Sequence, residues 1–195
     1  ADDGTFLADR IEGKITSPSW FPDGRRFVYG QLADPVDAYS RQYRVHEIGR
    51  SDRHDPVLVR QTEPSRIPWA YVSENGRWFV LGESRGWQAS DLAVADATAW
   101  ETTGELAPIA IAEGLDGRFR PVGVVGDGLF VLTTFEAPNG RLIRVDLHRP
   151  GREHWTETIP EDPDRVLERV DLARGVLVAS WSDVAVSVIE RYDLD

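Results

Sequence analysis

The sequence contains no cysteine. Disulfides and thiolate metal sites are therefore excluded. It contains no methionine either, not even at residue 1. A chain like this is expected to be processed, excised or a fragment, with ends that need not be natural ends. Lysine is almost missing: Lys14 stands alone, and the other positive charges are arginines. Acidic side chains exceed basic ones, giving a formal net charge of −11. That balance makes nucleic acid and anionic membrane poor partners. No apolar run approaches the roughly 18 residues a membrane helix needs, and no signal-peptide pattern is visible. These absences fit a cytoplasmic protein.

What is present is a globular composition, 41% hydrophobic and 28% charged, with a repeat running through it. Trp20-Phe21-Pro22-Asp23-Gly24-Arg25-Arg26-Phe27-Val28 opens one unit, and Val72-Ser73-Glu74-Asn75-Gly76-Arg77-Trp78-Phe79-Val80 opens a second. Val124 to Val131 and Leu172 to Val178 open a third and a fourth. The glycines at 24, 76, 128 and 175 lie 52, 52 and 47 residues apart. Periods of about 40 to 50 residues point to propellers and related arrays. Asp-Gly or Asn-Gly between apolar runs is a strong hairpin signal, because a tight turn needs positive φ. Gly24, Gly76 and Gly128 are expected to supply it.

A third strand is expected in each unit at 43–48, 91–97, 142–147 and 186–194. A fourth follows at 56–61, 108–113 and 155–159, and the last unit stops after its third. Four antiparallel strands per repeat make a propeller blade. The expected architecture is an all-β propeller segment of four blade units, approximately 16–63, 68–114, 119–162 and 166–195. Residues 5–15, with Phe6 to Ile15 as a strand, are expected to be the outer strand of a preceding blade or to close the fourth blade by pairing near Leu194. An unpaired end would leave an exposed sheet edge. Helix is a minor alternative for Ala89 to Trp100 and for Pro163 to Arg169.

One motif points elsewhere. Gly82-Glu83-Ser84-Arg85-Gly86 fits G-x-S-x-G, the elbow on which serine hydrolases carry their nucleophile. An elbow needs a strand before the serine and a helix after it, with an acid and a histidine later in the chain. Trp78 to Leu81 supplies the strand, and Asp127 or Asp146 with His148 or His154 satisfies the order. In the repeat register, however, Ser84 falls in the loop between the second and third strands of a unit. An α/β-hydrolase reading with Ser84 as nucleophile therefore competes with a structural one.

Other polar clusters carry less. The histidines at 46, 54, 148 and 154 lack the H-E-x-x-H spacing of a zinc site, so no metal or cofactor is expected. His46 sits in a strand, where it should pack or find a hydrogen bond. Asp2-Asp3-Gly4 and Glu161 to Asp164 lack the spaced ligands of a calcium loop and read as solvated. Trp20, Trp78 and Trp181 fall in or beside inner strands and are expected in the core. Trp87 lies in a loop beside Arg85, where the pair is either a peptide contact or ordinary packing.

The run Ser17-Pro18-Ser19-Trp20-Phe21-Pro22-Asp23-Gly24, continuing to Tyr29, resembles a repeat of prolyl oligopeptidase and TolB propellers. Tyr43 to Gly49 with Asp55 to Val59, and Asn139 to Leu147 with Trp155 to Glu161, are similar to paired outer strands of prolyl oligopeptidase blades. Val166 to Val170 and Ser182 to Val184 continue the likeness, which runs from about residue 10 to residue 195. The resemblance implies a non-catalytic propeller that gates peptide access to an α/β-hydrolase peptidase domain, of which nothing in this chain is reminiscent. It implies that Ile15, Ile67, Ser84 or Arg85, and Trp87 border the substrate. A free-standing TolB-like propeller that binds a protein or peptide is the alternative.

Overall fold

The computed structural model describes residues 4, 7–173 and 175–194, with backbone only at residue 17. Fifteen strands are present among them. The first sheet is β1 (Ile15–Trp20), β2 (Arg26–Leu32), β3 (Arg41–Glu47) and β4 (Val57–Arg60), in that order. The second is β5 (Arg66–Val72), β6 (Trp78–Arg85), β7 (Ala89–Asp96) and β8 (Ile109–Ala112). The third is β9 (Phe119–Val125), β10 (Gly128–Thr133), β11 (Arg141–Asp146) and β12 (Thr156–Ile159). The last holds β13 (Val166–Ala173), β14 (Val176–Asp183) and β15 (Val186–Asp193). Strands follow one another in space as in sequence, so short turns suffice to join them. One helix, α1 (Ala97–Thr103), follows β7; Asp96 caps its start by accepting the Ala99 N–H, and Gly104 ends it at φ 73°.

The hairpin chemistry explains the register. In the first sheet the Gly24 N–H bonds to the Phe21 carbonyl and the Phe21 N–H to the Arg26 carbonyl, with Gly24 at φ 66°. Asp23 Oδ1 accepts the Arg25 and Arg26 N–H groups and locks the turn. The second sheet repeats it: Gly76 N–H to the Ser73 carbonyl, Ser73 N–H to the Trp78 carbonyl, Gly76 at φ 72°. The third turn differs from the expectation. Positive φ falls on Gly126 at 60°, while Gly128 already belongs to β10. Gly128 instead sits beneath the Arg144 guanidinium, with a Cβ position 2.4 Å from Arg144 Nε, so a side chain there would displace that arginine.

By contact density the chain forms two units, residues 1–84 with 95–107, and residues 85–94 with 108–195. The first buries Val28, Tyr29, Phe79 and Val80 completely. The second has a core of Phe130, Leu132, Leu142, Leu177, Ala179 and Trp181, among others. Period-two alternation puts Leu177, Ala179 and Trp181 inward from β14, whereas β10 is buried at every position. The strands β1, β9 and β13 each contain or face a bulge, and Pro18 and Pro121 sit at two of them, where a missing N–H costs no ladder bond.

Several expectations are corrected. Residues 7–14 form no strand, and Ile15 is the first residue of β1, not the end of a separate outer strand; Phe6 lies outside the described residues. The last sheet has three strands among the described residues, so the closing partner at Leu194 is not seen. Ala89 to Asp96 is strand, with helix only beyond it, because alternating Ser90, Leu92 and Val94 are buried. Pro163 to Arg169 is not helical; β13 begins at Val166. Trp78 and Trp181 are buried, but Trp20 is half exposed, its ring tilted against Phe27 with centroids 4.6 Å apart.

Candidate functional site

A basic residue followed by an apolar one marks the start of every first strand, at its first position in β5 and just before it in β1, β9 and β13: Lys14-Ile15, Arg66-Ile67, Arg118-Phe119 and Arg165-Val166. Each basic residue stands ten positions before the repeat glycine of its unit, Gly24, Gly76, Gly128 or Gly175. The repeat register therefore held this signal, although the turn glycines draw attention first. Ile15 and Ile67 were expected near a ligand; Phe119 and Val166 are their unforeseen equivalents. The four cations differ in circumstance. Arg66 pairs with Glu83 at 2.6 Å, and Arg165 with Asp162 and Glu190, both at 2.8 Å. Among the described residues Lys14 and Arg118 form no ion pair.

In the first unit a cavity of about 340 Å³ opens at this end of the sheet, lined by Lys14, Thr16, Leu32, Arg41, Tyr43 and Ile67, among others. Register explains the lining. Thr16 pairs with Gly30 and Gly30 with Tyr43, so Thr16 and Tyr43 share one sheet face with Leu32 and Arg41. Gly30 has no room for a side chain there, because its Cβ would lie 2.4 Å from Thr16 Oγ1 and 3.1 Å from the Tyr43 ring. Ile15 pairs with Gln31 and points to the opposite face. Of the two expected isoleucines, then, only Ile67 lines the cavity, and it is 44% exposed.

The other expected residues lie at the end of β6. Ser84 and Arg85 are its last two residues, and Gly86 turns the chain at φ 70° into β7. Arg85 Nε contacts Asp91 Oδ1 at 3.0 Å, and its Nη2 donates to the Leu115 carbonyl. Trp87, at the turn, is 93% exposed. Strand, turn and strand surround Ser84, not strand, turn and helix, so the elbow that the motif suggested does not form. His148 does contact an acid, Asp127 at 3.1 Å, but this is a surface pair on the β9–β10 hairpin side.

The opposite face of the first sheet carries a buried polar network that sequence reading missed. His46 is 1% exposed and lies between two carboxylates, with Nδ1 2.9 Å from Asp55 Oδ2 and Nε2 3.3 Å from Asp9 Oδ1. Tyr29 donates its hydroxyl to Asp55 at 2.8 Å. Burial first, and then this carboxylate, hold the Tyr29 phenol far above its ordinary pKa. Arg44 binds the carbonyls of Asp52 and Asp55, fixing the 3-10 turn at Asp52–His54 that presents Asp55. Asp9 also accepts the Gly49 N–H, and chiefly for that reason its carboxyl titrates below its ordinary value. A further tie, from Gln31 Nε2 to the Glu12 carbonyl at 2.8 Å, fastens the segment 9–12 across β2 and β3. Only Asp9 and Asp55 in their folded positions reveal why a histidine occupies this strand.

Sequential antiparallel meanders, repeated with one hairpin chemistry and one end pattern, define an all-β repeat domain of the β-propeller class. The family profile described as prolyl oligopeptidase, N-terminal beta-propeller domain, matches residues 1–195, and the chain belongs to that family. It is 22% identical over 191 residues to a prolyl endopeptidase of Elizabethkingia meningoseptica, covering 94% of this chain and 26% of that protein. It is 27% identical over 186 residues to prolyl oligopeptidase A of Amanita bisporigera, covering 88% of this chain and 24% of the other. A solved prolyl endopeptidase, one of two studied for inter-domain dynamics, superposes with a TM-score of 0.82 at 26% identity over 91% of this chain and 26% of its own. Prolyl oligopeptidase B from Galerina marginata, bound to a 35-residue substrate, gives a TM-score of 0.83 over 96% of this chain and 26% of its own; at 21% identity that likeness is one of fold. The chain thus spans about a quarter of the length of these relatives.

Proposed function

We propose that this chain is a non-catalytic portion of a propeller that gates peptide access to a serine peptidase domain outside residues 1–195. Family membership over the whole chain carries this reading, because the relatives it matches are prolyl peptidases about four times as long. The strand geometry at Ser84 supports it by denying the chain a nucleophile elbow of its own. The sheets beginning at Ile15, Arg66, Phe119 and Val166 serve as successive blades. A rigid set of packed sheets is suited to filtering by size, since close-packed cores resist deformation. Ile15, Ile67, Arg85 and Trp87 are assigned to the substrate side, and the partner is a peptide handled with an α/β-hydrolase domain. No helix among the described residues is long and apolar enough to cross a membrane; a cytoplasmic location fits the lack of cysteine.

The location of the chemistry is testable with a fluorophosphonate probe and intact mass. The 195-residue chain is expected to remain unlabelled, while the full-length gene product takes up one adduct outside residues 1–195. An adduct on Ser84 would restore the hydrolase reading and overturn this one.

A further inference from the structure

The cavity at the open end of the first sheet has a charge character opposite to that of the protein. The chain carries 33 acidic residues against 22 lysines and arginines, yet the cavity is lined by Lys14 and Arg41 and by no carboxylate. Lys14 makes no hydrogen bond or ion pair among the described residues. The Arg41 side chain makes one hydrogen bond, from Nη1 to the Gln61 Oε1 at 3.2 Å, which leaves its charge uncompensated. The nearby acids are engaged elsewhere. Asp34 and Asp37 accept loop N–H groups from Val36 and Tyr39, and Glu83 pairs with Arg66. Leu32, Tyr43, Ile67 and Pro68 supply an apolar part of the wall, and Thr16, Gln31 and Gln42 add uncharged polar groups.

We infer that this cavity binds the C-terminal carboxylate of a peptide whose last side chain is apolar. The inference rests on the peptide-handling reading above and names the part of the peptide that is held. Two cations beside an apolar wall match a carboxylate and the side chain on the same carbon. A volume of about 340 Å³ suits one or two terminal residues and is too small for a long segment. An internal peptide stretch offers no anion to Lys14 and Arg41. The corresponding cavity of the second unit, about 260 Å³, makes the contrast: Arg118 and Arg120 line it, but so does the acidic residue Glu168, whose backbone carbonyl accepts from Arg120 Nη1 at 3.1 Å. One of its cations is already engaged and an acidic residue shares its lining, so that cavity is given no such role.

Fluorescence anisotropy on the 195-residue chain tests the assignment. The probes are an N-terminally fluorescein-labelled pentapeptide ending in leucine, as the free acid and as the C-terminal amide. The amide should bind about tenfold more weakly or worse, the size of a lost charge-assisted hydrogen bond. Lys14→Glu should weaken the acid by a similar factor without changing the amide, while Arg53→Glu, an equal charge change on an exposed turn residue, should leave both within about twofold. N-Acetyl-leucine should displace the acid probe and inorganic phosphate at the same concentration should not. Circular dichroism confirms that the Lys14→Glu chain is folded; if it is not, Lys14→Gln carries the same expectation. Equal binding of acid and amide, no binding of either, indifference to Lys14, or displacement by phosphate would each overturn the inference. None of these outcomes touches the gating reading, which stands or falls on how the full-length product treats folded and unfolded substrates.

Discussion

His46 shows how one side chain can tie a segment to a sheet. Its two ring nitrogens face Asp55 and Asp9, and Tyr29 adds a third group to the same carboxylate. Replacing it by phenylalanine keeps the ring but leaves Asp55 buried with one partner fewer. The expected cost is about 3 kcal/mol in urea unfolding, the usual penalty for stripping a buried carboxylate of a partner. A loss below about 0.5 kcal/mol would mean that water or a rearranged side chain replaces the imidazole. Four aspartates supply a pH signature. Asp9, Asp23, Asp146 and Asp162 each titrate below their ordinary value, chiefly because a backbone N–H bonds to the carboxylate: those of Gly49, Arg25, His148 and Asp164. A depressed folded-state pKa means stability that is complete above the unfolded value near 4 and lost as pH falls through the folded values. Thermal melts between pH 6 and pH 2.5 should therefore show Tm falling below about pH 4, and Asp162→Asn should flatten part of that fall. An unchanged slope would remove Asp162 from the explanation.

At the scale of strands and turns, the hairpins separate what was legible from what was not. Asp23-Gly24 and Asn75-Gly76 announced their turns because only glycine takes positive φ there at no steric cost. At the third turn two glycines flank one aspartate, and sequence alone does not decide which of Gly126 and Gly128 turns the chain. The structure gives the turn to Gly126 and places Gly128 in β10, with the Arg144 guanidinium lying over it. The β14–β15 turn gave no signal, because Val184 and Ala185 occupy it at φ 39° and 68° without a glycine. Asp183 pairs with Val186, so two residues close the hairpin. Such a turn favours Asn-Gly, and a β-branched residue there is strained. The double substitution Val184→Asn with Ala185→Gly should stabilise the chain by about 1–2 kcal/mol, read as a higher urea midpoint with unchanged slope. The segment before β1 was misread as a strand because its apolar residues resemble one. It is held instead by polar ties, Asp9 to Gly49 and Glu12 to Gln31, which no periodicity marks.

For the molecule as a whole, the repeat made the all-β class readable before any coordinates, since glycine spacing and alternating apolar strands agree. Which expected residues share a cavity was not readable from the sequence. Ile67 lines the cavity of the first sheet, while Ile15 lies on the other face of β1, because the face of a strand depends on register and the Thr16–Ser19 bulge shifts it. Lys14 precedes β1 and Arg41 opens β3, and their lack of nearby counter-charge emerges only once Glu83 is seen bound to Arg66. The β15 edge, exposed at Val186 and Ile189, lacks a partner among the described residues. An unpaired apolar edge invites association, so the isolated chain should oligomerise with rising concentration in sedimentation velocity, and Ile189→Lys should suppress it. A monomer at all concentrations would show that this edge is protected.

Gating is most directly tested by substrate discrimination. The full-length gene product would be given a short proline-containing peptide and a stably folded protein displaying the same sequence in a surface loop, with a second preparation lacking residues 1–195 beside it. The expected result is that the intact product cuts the peptide and spares the folded protein, while the shortened one, provided it still cuts the peptide, attacks both. Equal cleavage of both substrates by the intact product would contradict a gating role for these sheets.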